Sequence, residues 1–390
     1  MEPKIRFSRN NILYEEKTLS EISTINPKTN VPLEFEYVDL ESVSGTEMTN
    51  HRTEHKATAP SRAQRLAKKG DIFYQTVRPY QRNNYYFDMD DDNYVFSTGY
   101  AQIRPSIYGK YLFTLLQNDS FLKQVLDNCA GTSFPAINPS VLSRLSVRIC
   151  TDKQEQQAIA SYFTSLDSQI SAATSRLASL KQMKAASLQA MFPQEGETVP
   201  KIRFKGFEGE WKKVKLGKLF SERIENNVDG EMLSVTMNNG IIKAAENGRF
   251  DNSNSDKSKY KVVKVGDIAY NSMRMWQGAS GCSLYEGLVS PAYTVVVPNA
   301  NIHSLFFAYL FKTIPMINLF RLHSQGLTKD TWNLKYPAFS IIEVSYPESK
   351  AEQQAIASYF TSLDRQISLQ SQRLEKLKQI KSACLDKMFV

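Results

Sequence analysis

The chain has 390 residues, 42% hydrophobic and 23% charged, which suits two or three packed domains and excludes a disordered chain. Forty-eight Lys and Arg against 40 Asp and Glu leave a formal charge of +8, compatible with a polyanionic partner without requiring one. Four scattered cysteines suggest neither a disulfide framework nor a zinc site. The longest apolar stretches, such as Leu305–Leu310, are too short to cross a bilayer, and MEPKIRFSRN lacks a secretory core, so a cytoplasmic protein with no membrane partner is expected.

In chain order, the first feature is PKIRF at Pro3–Phe7. Residues 1–150 are rich in Tyr, Phe and Val in short alternating runs, such as Asp71–Arg78 (DIFYQTVR), and predict a mixed α/β head with a twisted sheet. Residues 151–193 predict a long helix. Ile159, Phe163, Leu166, Ile170, Ala173, Leu177 and Leu180 recur at intervals of 4 and 3, the spacing of a coiled-coil seam. Asp152 and Glu155 have the spacing of a capping box, and Pro193 supplies a stop. A second α/β head follows over 194–347, with PKIRF at Pro200–Phe204 and DIAYNSMR at Asp267–Arg274. A second long helix over 348–390 carries the seam Ile356, Phe360, Leu363, Ile367, Gln370, Leu374 and Leu377, after a start signal at Ser349 and Glu352.

These parallels are one module written twice. EQQAIASYFTSLD fills Glu155–Asp167 and returns at Glu352–Asp364, 197 residues later, an offset that also relates the two PKIRF segments. A helix of about 40 residues makes a rod of about 60 Å. An apolar stripe of that length needs a partner, and the other copy is the simplest one. The expected fold is therefore two pseudo-twofold-related α/β heads separated by a pair of long antiparallel coiled-coil helices, with adjacent termini. Identity is intense in the rods and faint in the heads, where GDI-x-Y at Gly70–Tyr74 matches Gly266–Tyr270 and Ser97 matches Ser290.

No catalytic motif is complete. A phosphate loop and a GxGxxG turn are both missing. Asn138-Pro139-Ser140-Val141 falls short of the Asn-Pro-Pro-aromatic motif of amino methylation and reads as a turn opening a short helix. Asp88, Asp90, Asp91 and Asp92 fail the calcium-loop pattern and read as a solvated hairpin tip. His51, Glu54 and His55 spell H-x-x-E-H in a polar stretch with no stripe to bury a metal-binding helix, so an exposed loop or turn is expected. Loops mixing basic, aromatic and amide residues stand at Thr76–Tyr85, Asn271–Gln277 and Ser324–Lys329. Arg can take guanine's two acceptors and Asn or Gln adenine's edge, but such mixtures also occur on surfaces without a ligand.

Taken together, the chain resembles the specificity subunit of a type I restriction-modification system. The resemblance covers its whole length. It rests on the EQQAIASYFTSLD starts, the Leu/Lys-rich continuations Leu177–Lys184 and Leu374–Lys381, PKIRF before each head, GDI-x-Y followed by T/S-x-R, and GTSFPAIN at Gly131–Asn138. It implies two target-recognition domains, each reading half of a bipartite double-stranded DNA site, with the helices as the ruler of the unread spacer. It implies no catalysis and no cofactor on this chain. Two methyltransferase subunits would bring S-adenosylmethionine, and two restriction subunits would use ATP and magnesium. Arg78 and Arg274, superposed by the repeat, are the first candidates for DNA contact, followed by Gln81, Arg82, Gln277, Gln325 and Lys329. Identical partners need identical platforms, which points to Glu155, Gln156, Gln157, Glu352, Gln353 and Gln354 as docking residues. Two other readings stay open: the specificity subunit of a fused methylase-nuclease that cuts on both sides of its site, and a coiled-coil scaffold whose heads bind proteins.

Overall fold

The computed structural model describes residues 3–7, 14–237, 239–247, 256–329 and 331–389. The chain divides into two compact units, one of Met1–Thr174 with Gln372–Val390 and one of Ser175–Ser371. Each unit thus holds one head, the first part of one long helix and the last part of the other.

In the first unit, Tyr14–Thr18 pairs antiparallel with Ser146–Cys150, tying the start of the head to its end. An inner antiparallel sheet runs in the order Ser23–Ile25, Tyr100–Pro105, Ile72–Gln75, Tyr85–Tyr86. Strand alternation sorts its side chains. Ile72 and Tyr74 join the core formed with helices Gly109–Leu115 and Asp119–Asp127, while Phe73 points into a second core. That second core lies under an outer sheet ordered Arg52–His55, Glu34–Val38, Tyr94–Ser97, Ala63–Leu66, whose middle pair is parallel. Phe73 and Phe96 stack across the two sheets at 3.6 Å.

The second unit repeats the inner plan and changes the outer one. Lys212–Lys215 pairs with Glu343–Tyr346, and the inner sheet runs Phe220–Glu222, Tyr293–Pro298, Ile268–Asn271, Ser280–Cys282. Ile268 and Tyr270 face helices Ser304–Leu310 and Ile314–His323, and Ala269 faces the other side. The outer layer here is two short ladders, Leu233–Thr236 with Gly240–Lys243 and Lys261–Val263 with Gly287–Val289. The smaller Ala269 in place of Phe73 goes with a second core whose buried residues are aliphatic where the first unit's are largely aromatic.

The long helices span Lys153–Ala190 and Lys350–Met388. Within each unit the start of one packs antiparallel on the end of the other. In the first unit Phe163 meets Phe389 at 6.1 Å, Tyr162 Oη lies 3.4 Å from Cys384 Sγ, and Lys381 pairs with Asp167 at 2.6 Å. In the second, each contact recurs 197 residues away in register: Phe192 with Phe360 at 5.8 Å, Ser187 with Tyr359 at 2.9 Å, and Lys184 with Asp364 at 2.5 Å. The seam residues are buried at the helix starts and half-buried toward Ile170 and Ile367. The N–H of Ile5 donates to Lys387 O (3.2 Å), as the N–H of Ile202 donates to Ala190 O (2.8 Å), so both PKIRF segments bond to a long helix's end in the same way.

Among the described residues no single helix is long and apolar enough to cross a membrane. The H-x-x-E-H run does not form the expected loop or turn. Arg52–His55 is an edge strand, and His51 and His55 pair separately with Glu36 (2.7 Å) and Glu34 (3.4 Å) rather than converging. In the acidic run, Asp88 and Asp90 are bound by Lys110 and Lys69. Asn138 caps the short helix Pro139–Leu142 by accepting from Ser140 N–H at 2.9 Å.

Candidate nucleic-acid interface

Each unit presents two loops, braced against one another by a backbone bond that recurs at the same place. In the first, the turn after Ile72–Gln75 leads into the 3-10 helix Pro79–Gln81, and a second loop doubles back between Ala130 and Ala136. Ile137 N–H donates to Thr76 O (3.0 Å), and Arg78 N–H donates to Pro135 O (2.8 Å). In the second, the turn leads into the 3-10 helix Met275–Gln277, and the other loop closes between Gln325 and Asn333. Leu334 N–H donates to Ser272 O (2.8 Å), matching the bond from Ile137, and Trp276 packs edge-on against Trp332 at 5.3 Å.

A buried carboxylate fixes the start of the strand that leads into each first loop. Asp71 takes Arg104 through both oxygens (2.8 and 2.7 Å), with Gln102 Nε2 (2.7 Å) and Lys68 N–H (2.9 Å). Asp267 takes Arg223 the same way (2.7 and 2.9 Å), with Lys264 N–H (2.8 Å). The repeated GDI-x-Y therefore belongs to the scaffold. Its Asp holds an arginine from the central strand in one unit and from the end of the edge strand in the other.

Arg78 and Arg274 both occupy the position before the 3-10 helix. Neither makes an ion pair among the described residues. Arg78 is held in the left-handed region, φ 53°, where a side chain other than glycine's is strained, and such strain gathers at functional sites. Its guanidinium lies 4.3 Å from the ring centre of Phe134, which is 60% exposed. Arg274 is exposed, and its Nη1 donates to Gln277 Oε1 at 3.4 Å. Gln81 is exposed and accepts from Gln75 Nε2 at 2.8 Å. Gln325 and Lys329 lie exposed on the second loop, beside a fully exposed Leu327. Arg82 differs from the rest: its guanidinium is engaged by the fold, by Asp119 and by Gln117 O (3.3 Å). Phe134, Leu327 and Trp276 stand inside the sequence motifs singled out above but are not among the candidate contacts, and Trp332 lies outside those motifs.

The docking assignments need a correction. Glu155, Gln156, Glu352 and Gln353 are 2%, 3%, 1% and 0% exposed, so their side chains form no platform. Glu155 accepts from Phe7 N–H (2.9 Å), and Glu352 accepts from Arg203 (2.7 and 2.8 Å) and Trp211 Nε1 (3.3 Å). Both carboxylates thus latch a PKIRF segment. Gln156 donates to Cys150 O (2.7 Å) and accepts from Tyr108 N–H (3.2 Å). Gln353 does the same with Pro347 O (2.9 Å) and His303 N–H (2.8 Å). Only Gln157 and Gln354 of the six are exposed. Identity in this run holds each rod to its own head.

Two copies of one latched module, alike in frame and different at the braced loops, define a duplicated recognition protein. The chain belongs to the type I restriction modification DNA specificity domain family, whose model matches residues 11–182 and again 208–379. Over 139 residues it is 34% identical to the type I restriction enzyme HindI specificity subunit of Haemophilus influenzae, an alignment spanning 34% of this chain and 30% of that protein. Its fold is similar to that of the type I restriction-modification S subunit from M. genitalium, with a TM-score of 0.64, 16% identity and coverage of 100% and 99% of the two chains. A chain from a structural study of complex assembly and conformational transition of the type I R-M system gives a TM-score of 0.54 at 19% identity, over 96% of this chain and 97% of that one.

Proposed function

We propose that this chain is the DNA-reading subunit of a type I restriction-modification complex. The braced loops of each unit read one half of a bipartite duplex, and the paired helices set the spacer between the halves. The chain contributes neither catalysis nor a bound cofactor. Two methyltransferase subunits supply S-adenosylmethionine chemistry, and two restriction subunits use ATP and magnesium. The observation that carries this reading is the loop pair: one backbone bracing bond at the same place in both units, Ile137 N–H to Thr76 O and Leu334 N–H to Ser272 O, under tips that share almost no side chains. A frame held constant under variable tips is what two different half-sites require.

Docking shifts to the outer stripe of each rod. Gln157, Ser161, Thr164 and Ser165 are exposed at helical spacing, opposite the buried Ile159, Phe163 and Leu166, and Gln354, Ser358, Thr361 and Ser362 repeat them. Two copies of one partner could dock on these two equal stripes.

The test is to map methylated adenines in the host genome with the wild-type chain, with Arg274→Ala and with Arg78→Ala. Each substitution should cost about 1–3 kcal/mol of discrimination at a position of one half-site only. An equal loss on unrelated DNA would make that arginine a phosphate contact, and a wild-type map without any bipartite motif would overturn the reading.

A further inference from the structure

Behind each reading turn lies a junction that appears in both units with its hydrogen bond reversed. The left-handed residue closing the 3-10 turn is Arg82 in the first unit (φ 57°) and Gly278 in the second (φ 82°). Facing it is the residue between the two head helices, Gln117 in the first unit and Lys312 in the second. Arg82 brings its own donor and needs only the carbonyl of Gln117, which it reaches at 3.3 Å. Gly278 has no side chain and offers only its carbonyl, so the donor comes from across the gap, as the Lys312 ammonium.

The junction also takes in the outer layer and the rod. Lys312 Nζ donates to Met237 O (3.0 Å), at the tip of the Leu233–Lys243 hairpin. In the first unit the same bridge is made by Asn83, whose Oδ1 accepts from Gly45 N–H (2.9 Å) at the tip of the small hairpin Val43–Met48. On the rod side, Tyr309, one turn before Lys312, donates to Asp364 Oδ2 (2.9 Å), the carboxylate that Lys184 pairs with. In the first unit Lys381, paired with Asp167, donates to Gln117 Oε1 at 3.3 Å. Different side chains at the turn and hairpin, with the same repeated Lys–Asp pair on the rod, thus tie reading turn, outer hairpin and rod together in both units.

We propose that Lys312 in the second unit, and Arg82 with Asn83 in the first, are positioning residues that fix the exit of each reading turn, so that removing one tie relaxes the half-site read by its own unit alone. The proposal rests on the loops being the DNA-reading elements. A turn free to shift by an ångström can still meet phosphates, but it loses the bidentate geometry that separates one base pair from another. Lys312 and Arg82 therefore govern selectivity without contacting a base.

The experiment expresses the full chain in its host with its methyltransferase partner and maps methylated adenines for Lys312→Met, Lys312→Arg, Arg82→Met and Arg274→Ala. Lys312→Met should raise methylation at mismatched sites at least tenfold, in the same half-site that Arg274→Ala relaxes, with the other half-site read as in wild type. Lys312→Arg, which keeps a charged donor, should restore most of the selectivity, and Arg82→Met should relax the opposite half-site. Unchanged maps for Lys312→Met and Arg82→Met, beside a relaxed map for Arg274→Ala, would overturn the tie and leave the reading loops standing. Relaxation of both half-sites by either methionine variant would also overturn it. If Arg274→Ala itself left both halves intact, the loop assignment would fail instead. Should Lys312→Met abolish methylation altogether, the Arg82→Met arm decides by the same criterion.

Discussion

The first unit roofs its inner sheet with four strands and a stacked pair of phenylalanines, Phe73 and Phe96, where the second has two short ladders around Ala269. Below that roof the two units share one plan: an Asp–Arg anchor, a backbone bond bracing the two loops, a Glu latch on each PKIRF segment and matched contacts between the helices. The difference shows where this architecture tolerates change. The inner sheet and rods must keep their register, because the buried carboxylates Asp71, Asp267, Glu155 and Glu352 each have a partner far away in the chain. The outer layer and loop tips answer only to their own neighbours and to whatever they bind.

The agreement can be broken most severely in the rod cores. Phe360→Ala removes a fully buried ring that stacks on Phe192 and Tyr309, and should cost the second unit about 3–5 kcal/mol. Phe163→Ala should cost the first unit about the same, and hydrogen exchange after each substitution should show loosening confined to the unit that carries it. Losses differing by more than about 2 kcal/mol would mean that the matched contacts hide unequal packing.

Next in size is the latch. Glu352→Gln leaves Arg203, itself mostly buried, without its carboxylate, and should cost about 3 kcal/mol in urea unfolding. Adding Arg203→Met should return part of that loss, because the stranded charge goes with it. If the double variant is worse than the single by the full cost of a second independent site, the latch is not the cause. A smaller effect is expected at the strand-start anchor: Asp71→Asn and Asp267→Asn should each cost about 2 kcal/mol, as a bidentate ion pair is reduced to one bond from a charged arginine to a neutral amide oxygen. Equal costs would show that the strand supplying the arginine is immaterial.

Local signals made the rods legible, since a 4-3 seam is written within the helix that uses it. The repeat also placed Arg78 and Arg274 at equivalent turns, because GDI-x-Y lies only a few residues before them. The polar residues at the rod starts were not legible. A Glu or Gln on a helix normally faces water, and what buries Glu155 and Glu352 arrives from 148 and 149 residues away. Arg82 misleads in the same way, because its acceptors, Gln117 O and the Asp119 carboxylate, lie 35 and 37 residues on. His51 and His55 looked like a motif because spacing along a sequence is blind to whether the segment is a helix or a strand.

The smallest predicted effect separates the two ties by pH. Burial pushes the Lys312 ammonium down from 10.5 to about 8, the nearby Lys184 adds to that, and Asp364 opposes it. Tyr309 packs on the same side and bonds Asp364. Below pH 8 the ammonium is charged when folded and holds both carbonyls through charge-assisted bonds; above it the amine is a weaker donor. The stability sign runs the other way. Between about 8 and 10.5 the unfolded chain binds more protons at this lysine, so the cost of burying its charge is full below 8 and is relieved as pH rises. The first unit has no lysine at this place, because Gln117 stands where the second unit has Lys312. Duplexes mismatched in one half-site, bound at pH 7 and pH 9 by the full complex, should therefore show a severalfold loss of discrimination in the second unit's half-site and none in the first. Competitive acetylation should give Lys312 a midpoint near 8. An ordinary lysine midpoint, or equal pH sensitivity in both half-sites, would show that the reversed hydrogen bond carries no functional difference between the units.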